Sequence, residues 1–267
     1  MTVTIVVVIL ALVIGLLANR FLRGRMVGED AGGITAQDLI SPMETLAVLL
    51  LAFVLVVAAE SYATAQAAAG DEAGAVDNLF EVADYAPATQ GQRLQAGAVC
   101  YARAVSSVEW PAVAEGASSS APGVWSSYLR GVLKEVDSAD PSFELLVGAD
   151  QERGEGRRIR LTEAEPAIPA VVYWFMLLTL AVTVAAFAFS LPRRKNGVEI
   201  TTLMILTVLF TLSLLLIRDV DRPFGGVIAV DASAMQRTEE DLTEDFVAEY
   251  GQLPLPCDEQ GRKLPTP

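Results

Sequence analysis

Four apolar stretches, residues 3–17, 43–59, 168–191 and 200–217, constrain this chain more than any other feature. A bilayer core about 30 Å thick is crossed by roughly 20 mostly apolar residues at 1.5 Å rise each, and all four stretches approach or reach that length. Glu44, near the start of the second, is the one charged residue inside them. Because a charge at mid-bilayer costs several kcal/mol, uncharged runs of this kind fit lipid better than a soluble core. Mean hydropathy of +0.42 and a hydrophobic share of 52% agree. The reading is an all-α membrane protein with four transmembrane helices and a helical extramembrane region between the second and third. No basic residue precedes the first run, and Leu17-Ala18-Asn19-Arg20 is not a small-x-small cleavage site, so a retained anchor is expected.

Charge then orients the spans. Short loops rich in Lys and Arg stay cytoplasmic, and two qualify: Arg20, Arg23 and Arg25 after the first span, and Arg193, Arg194 and Lys195 between the third and fourth. With four spans both loops lie on one side. This places both termini and the long middle segment outside the cytoplasm, in a bacterial plasma membrane. The net charge of −14 is concentrated on that outer side: residues 63–167 carry 8 basic and 16 acidic residues, and residues 218–267 carry 5 and 11. Four parts are therefore expected: residues 1–62 with two spans and a short basic loop, an extracytoplasmic helical region at 63–167, two further spans at 168–217, and an extracytoplasmic acidic tail at 218–267.

The two cysteines, Cys100 and Cys257, both fall outside on this topology, where a disulfide is chemically allowed. Two unrelated buried thiols are the alternative, since spacing alone does not bring their Cα atoms together.

In the middle segment Leu94, Ala98, Tyr101, Val105 and Val108 recur at intervals of 4, 3, 4 and 3, the period of an amphipathic helix. Trp125, Leu129, Val132 and Val136 mark another, expected to reach Asp137. A third can begin at Asp140-Pro141-Ser142 and run toward Leu161. Residues 63–86 are Ala-rich with no strong breaker, so the second membrane helix is expected to continue beyond the lipid and to seed a helical bundle. After the fourth span, Pro223 followed by Gly225 and Gly226 imposes a turn at the membrane surface. Thr238-Glu239-Glu240-Asp241 then has the form of a capping box opening an amphipathic helix with Leu242, Phe246 and Tyr250 on one face.

Asp221-Arg222-Pro223-Phe224-Gly225-Gly226-Val227-Ile228-Ala229-Val230 resembles the segment after the last span of the bestrophin-like membrane proteins of bacteria. Asp71-Glu72-Ala73, Glu109-Trp110-Pro111 and Arg157-Arg158-Ile159-Arg160-Leu161 are similar to other parts of that family, and the likeness covers roughly residues 45–235. Eukaryotic bestrophins share the four spans, the long helical segment and the Pro-Phe-Gly motif, and are pentameric chloride channels. The resemblance therefore implies an oligomeric anion channel. In two respects this sequence departs from that pattern. Charge and cysteines place the helical region outside rather than in the cytosol. The aromatic-lined pore neck has one aromatic counterpart in the second span, Phe53.

The chain has no histidine, which removes His-based acid–base catalysis, Ser-His-Asp triads and most zinc and haem sites. No phosphate-binding Gly loop is present either, and no enzyme activity, cofactor, metal or nucleic-acid partner is expected. Thr179 with Thr183, and Thr207 with Thr211, are i, i+4 hydroxyl pairs that could line a hydrated path, but helix packing and bonding to the i−4 carbonyl are favoured. Arg153, Arg157, Arg158 and Arg160 could form an anion vestibule or pair with the Asp221 region. A solvated helix face balanced by Asp150, Glu152 and Glu155 is favoured over both. The acidic run Asp71, Glu72, Asp77, Glu81 and Asp84 could hold cations, and Asp221, Arg222, Pro223, Phe224 and Gly225 form the candidate structural or gating turn. The expected partners are the lipid bilayer and further copies or subunits. An ion channel is the first functional expectation, and a non-catalytic accessory or scaffold subunit of a larger envelope complex is the second.

Overall fold

The computed structural model describes residues 2–21, 36–191, 197–251 and 253–265, so Arg23, Arg25, Arg193, Arg194 and Lys195 lie outside the described residues. Nine α-helices are described: α1 (Thr2–Phe21), α2 (Ala36–Val82), α3 (Ala88–Ala104), α4 (Trp110–Ala114), α5 (Ala121–Leu133), α6 (Phe143–Glu163), α7 (Ala170–Ser190), α8 (Gly197–Val220) and α9 (Ser233–Tyr250). A 3₁₀ turn, Ala83–Tyr85, follows α2, and a π-helical segment, Val105–Glu109, joins α3 to α4. Extended pairing among the described residues is limited to one antiparallel bridge between Cys257 and Lys263. Four helices are long and apolar enough to cross a membrane: α1, α2, α7 and α8.

The length of α2 follows from its composition. Its 47 residues span about 70 Å at 1.5 Å each, more than twice a bilayer core. Alanine, the strongest helix former, fills the stretch past the lipid, and the helix gives way only at the turn before Pro87.

The chain divides into two compact units. The first comprises Met1–Glu60 with Ala167–Asp221 and holds α1, α7, α8 and the apolar part of α2. Here α1 packs along α7, and the approach is close enough to require glycine. A Cβ on Gly15 would sit 2.6 Å from the Ala185 carbonyl oxygen and 2.7 Å from the Ala188 Cβ. In lipid, where apolar surface gains nothing by leaving solvent, such small-residue contacts supply the dispersion that holds helices together. Asn19 completes the seam. Its amide donates to the carbonyls of Ala188, Phe189 and Leu191 at 3.2, 2.7 and 2.8 Å, satisfying groups that the end of α7 leaves open.

The second unit comprises Ser61–Pro166 with Arg222–Pro267. Its core is built on α3, whose Leu94, Ala98 and Tyr101 are fully buried together with Val105 at the start of the π segment, as the 4-3-4 spacing requires. Trp125 of α5 and Phe246 of α9 pack with Ala98 and Tyr101, and Leu129 of α5 packs with Leu94 in a neighbouring cluster. A disulfide joins Cys100 to Cys257 with Cα atoms 5.8 Å apart and fixes the C-terminal segment to α3. That segment also carries Gly261 at φ 69°, and its carbonyl accepts the Trp125 indole N–H at 2.6 Å. A side chain at Gly261 would collide with the α3 backbone at Ala104.

Two sequence expectations about this unit are corrected. The helix at 233–250 starts five residues before the supposed capping box, so Thr238 is an interior residue. The start is an Asp turn, with the Asp231 carboxylate accepting the Ser233 N–H at 3.1 Å. Asp241, the acidic residue that would close such a box, is exposed, and Glu239 takes Arg103 at 2.7 Å and the Thr243 hydroxyl at 3.0 Å. Likewise α5 ends at Leu133, short of Asp137.

Candidate functional site

Several charged side chains of α2, α6 and the π segment are buried rather than solvated. Glu72 sits on the extramembrane part of α2 and is fully buried, as are Arg153 and Arg160 on α6, while Glu109 is 1% exposed. The spacing 153, 157, 160 puts three guanidiniums on one face of α6, and Gly156 on that face lets the helix close on α2. A Cβ at Gly156 would lie 2.9 Å from the Glu72 Cα. The π-helical segment contributes in its own way. One extra residue per turn widens the helix and turns Glu109, its last residue, into the interior.

These groups form one network. Arg160 donates through Nε to Glu72 Oε2 and through Nη2 to Glu109 Oε2. Arg157 takes the other oxygen of Glu109. Tyr101 donates its hydroxyl to Glu72 Oε1 at 2.7 Å, and the Arg153 guanidinium lies over the Tyr101 ring, 4.5 Å from its centroid. Arg153 is held in turn by Asp150, at 3.0 Å through Nε, and by the Ser126 hydroxyl at 3.1 Å. Three arginines thus meet three carboxylates, and the buried charges cancel. Burial opposes the Arg160 guanidinium, but Glu72 and Glu109 outweigh it and hold its pKa above the ordinary arginine value. Burial, reinforced by Glu72, pushes the Tyr101 hydroxyl well above the ordinary tyrosine value, so it remains a proton donor.

The network continues through aromatic rings to the turn after the fourth span. Arg160 lies over the Trp110 ring at 4.9 Å, which compensates in part for Nη1, buried without an acceptor. Trp110 meets Phe224 edge to face, with centroids 5.3 Å apart and planes at 75°. The Trp110 indole N–H reaches the Val230 carbonyl at 3.2 Å, and the Val230 N–H closes the loop on the Pro223 carbonyl at 2.6 Å. Gly225 is required here, because a Cβ would stand 2.5 Å from the Ala114 carbonyl oxygen. A pocket of 310 Å³ opens beside the turn, lined by Glu115, Gly116, Pro166, Arg222 and Phe224 among others.

The four short motifs that carry the family resemblance therefore converge. Glu72, Glu109 with Trp110, Arg157 with Arg160, and Phe224 belong to one continuous set of contacts. The Bestrophin-like domain profile matches residues 5–235. The chain belongs to the Bestrophin-like family. Solved structures agree in fold. A bacterial bestrophin homologue from Klebsiella pneumoniae gives a TM-score of 0.65 at 13% identity, over 94% of this chain and 99% of that one. A point mutant of that homologue gives 0.67 at 12% identity, over 90% and 99%. A further structure, described as a membrane protein variant, gives 0.66 at 12% identity over 94% and 100%. No curated protein sequence gives a match.

In this Bestrophin-like protein the other candidate residues lie apart from the network. Asp221 accepts the Ile168 N–H at 2.9 Å and so fixes the entry to the third span. Thr179, Thr183, Thr207 and Thr211 each donate a hydroxyl hydrogen bond to the carbonyl four residues back. Phe53 is 70% exposed on α2. The expectation of a solvated arginine face is corrected for Arg153, Arg157 and Arg160, which are committed to buried carboxylates, and holds only for Arg158, paired with Glu155 at the surface. The same three side chains do not form an open anion vestibule, because each guanidinium is paired with a buried carboxylate. The acidic run is corrected too: Glu72 is neutralised by Arg160, and no cluster of three or more metal-binding side chains occurs among the described residues.

Proposed function

We propose that the protein assembles from several copies into an ion-conducting pore, with the exposed face of α2 lining it. The observation that carries this reading is the two-sidedness of α2 within the apolar span. Ala47, Leu51, Val54 and Ala58 are buried, whereas Leu46, Leu49, Phe53 and Val56, at three- and four-residue intervals, are between half and three-quarters exposed. Phe53 is the aromatic of that face and the natural constriction. An apolar ring gates by excluding water, so a single large side chain per copy controls conduction. The family resemblance, which implies a ring of copies, supports the same arrangement.

The charged network gives the pore helix a fixed attachment. Buried ion pairs add little stability compared with apolar packing, but they penalise every arrangement that separates the partners. Glu72 therefore holds the extension of α2 in one register against α6, and Trp110 with Phe224 passes that register to the turn after the fourth span.

The second unit faces the oxidising side of the membrane on this reading. The Cys100–Cys257 disulfide supports it, because such bonds persist outside the reducing cytosol. Labelling with a membrane-impermeant thiol reagent is expected to reach a cysteine placed at the exposed Tyr85 position (Tyr85→Cys) in intact cells. Protection of that cysteine would reverse the orientation. The functional test is ion flux into liposomes from a purified, size-verified assembly. Flux sensitive to Phe53→Ala supports the pore, whereas one copy bound at fixed stoichiometry to other subunits, with no flux, supports the accessory role.

A further inference from the structure

Arg218, in the last turn of α8, carries a guanidinium whose neighbour is aromatic rather than acidic. Its Cζ lies 5.3 Å from the centroid of the Tyr173 ring in the first turn of α7. Tyr173 is itself held by a 2.7 Å hydrogen bond between its hydroxyl and that of Thr4, a fully buried residue of α1. Three membrane helices thus fix the place of one cation. Among the described residues Arg218 makes no salt bridge. Asp221 is close in sequence but is engaged with the Ile168 N–H.

A guanidinium held over a ring face still has N–H donors for a further acceptor, and a two-oxygen anion matches its fork. Position supplies the anion. The start of α7 and the end of α8 mark the boundary of the apolar spans, where lipid headgroups lie. Trp174 is 55% exposed there, and Val171 and Phe175 beside it are exposed as well. An indole among apolar side chains at a span end is the arrangement that settles at the headgroup level, with acyl chains on one side and water on the other.

We infer that Arg218, Tyr173 and Trp174 form a binding site for the phosphodiester group of an anionic phospholipid. Arg218 takes two phosphate oxygens through its fork, Tyr173 holds the guanidinium in place, and Trp174 packs against the glycerol and upper acyl segment. The site lies on α7 and α8 rather than on α2, so its test does not depend on ion conduction.

The test is lipid retention by the full-length protein extracted from vesicles of equal phosphatidylglycerol and phosphatidylcholine, with co-purifying lipid measured by mass spectrometry. Wild type is expected to retain phosphatidylglycerol preferentially. Arg218→Gln should lower the retained amount about fivefold, the contribution of one basic residue near an anionic surface. Arg218→Lys, which keeps the charge without the fork, should fall between. Trp174→Ala, which removes an exposed side chain, should also lower retention and remains informative if Arg218→Gln fails to assemble. Inorganic phosphate at millimolar concentration should not displace the lipid. Equal retention in wild type and Arg218→Gln would overturn the inference, as would unchanged retention in both Arg218→Lys and Trp174→Ala. Displacement by inorganic phosphate would show a free-anion site instead and overturn it equally.

Discussion

The Tyr101 hydroxyl donates to Glu72 Oε1 at 2.7 Å, and both side chains are fully buried. This bond ties the core helix α3 to the extramembrane part of α2. Tyr101→Phe removes the donor but leaves Glu72 with Arg160. Hydrogen bonds to charged groups contribute about 1.5–3 kcal/mol, and the expected loss lies in that range. Thermal unfolding of the purified protein in one detergent measures it.

Removing one ion of the network should cost more than removing a matched pair. Arg160→Met strands Glu72 and Glu109 without their shared partner, and breaking a buried pair in this way costs about 3–5 kcal/mol. Glu72→Gln together with Arg160→Met removes charge from both sides, so its effect should fall short of the sum of the two single changes. A double-mutant cycle reads the coupling, and strict additivity would show that the two side chains act independently.

The glycine of the post-span turn is a steric requirement rather than a flexible joint. Gly225→Ala places a methyl 2.5 Å from the Ala114 carbonyl oxygen, and the backbone must shift to admit it. Overpacking of this kind costs about 1–3 kcal/mol. The melting temperature should fall accordingly, whereas Gly123→Ala, where the added Cβ meets nothing within 4 Å, should leave it unchanged or raise it.

Asp77 on α2 has a folded-state pKa raised above the ordinary 3.8, chiefly by burial and further by Glu81, Asp241 and Asp245. The sign follows from linkage. A raised folded pKa means that the folded state binds the proton more tightly, so the stabilising contribution is complete below 3.8 and is lost as pH rises through the folded value. At neutral pH the carboxylate is a liability. Asp77→Asn should raise the melting temperature at pH 7, and the gain should vanish toward pH 3.5. A gain that is equal at both pH values would contradict the assignment.

The disulfide closes a loop with a sequence separation of 157. Chain-entropy arguments give a stabilisation of about 5 kcal/mol for a loop of that length. Cys257→Ala should lower the melting temperature and make the C-terminal segment susceptible to protease. Persistence of wild-type protease resistance would show that the Trp125–Gly261 contact suffices to hold the segment.

Membrane helices and the long α2 were legible in the sequence because their signals are local. An uncharged apolar run has one interpretation at 20 residues, and an Ala-rich continuation without a breaker has one conformation. The 4-3-4 spacing through Leu94 and Tyr101 gave the buried face of α3 for the same reason. The charged network was not legible, because periodicity tells which residues share a face and not what opposes that face. Arg153, Arg157 and Arg160 read identically whether solvated or buried. Gly156 was the available signal: a glycine inside a charged helix face costs about 1 kcal/mol relative to alanine and has no use toward solvent. Glu109 lay beyond periodic reasoning altogether, since the π segment before Trp110 shifts the helical phase. The capping box at Thr238 misled because a short polar pattern recurs inside surface helices, and this helix begins at Ser233.

Copies of this Bestrophin-like chain are proposed to surround a pore constricted at Phe53. Unitary conductance in planar bilayers, recorded from an assembly of verified size, tests this most directly. Wild type should show discrete openings and Phe53→Ala a larger unitary current. Silence of both proteins in chloride and cation gradients, with the assembly intact, would contradict it.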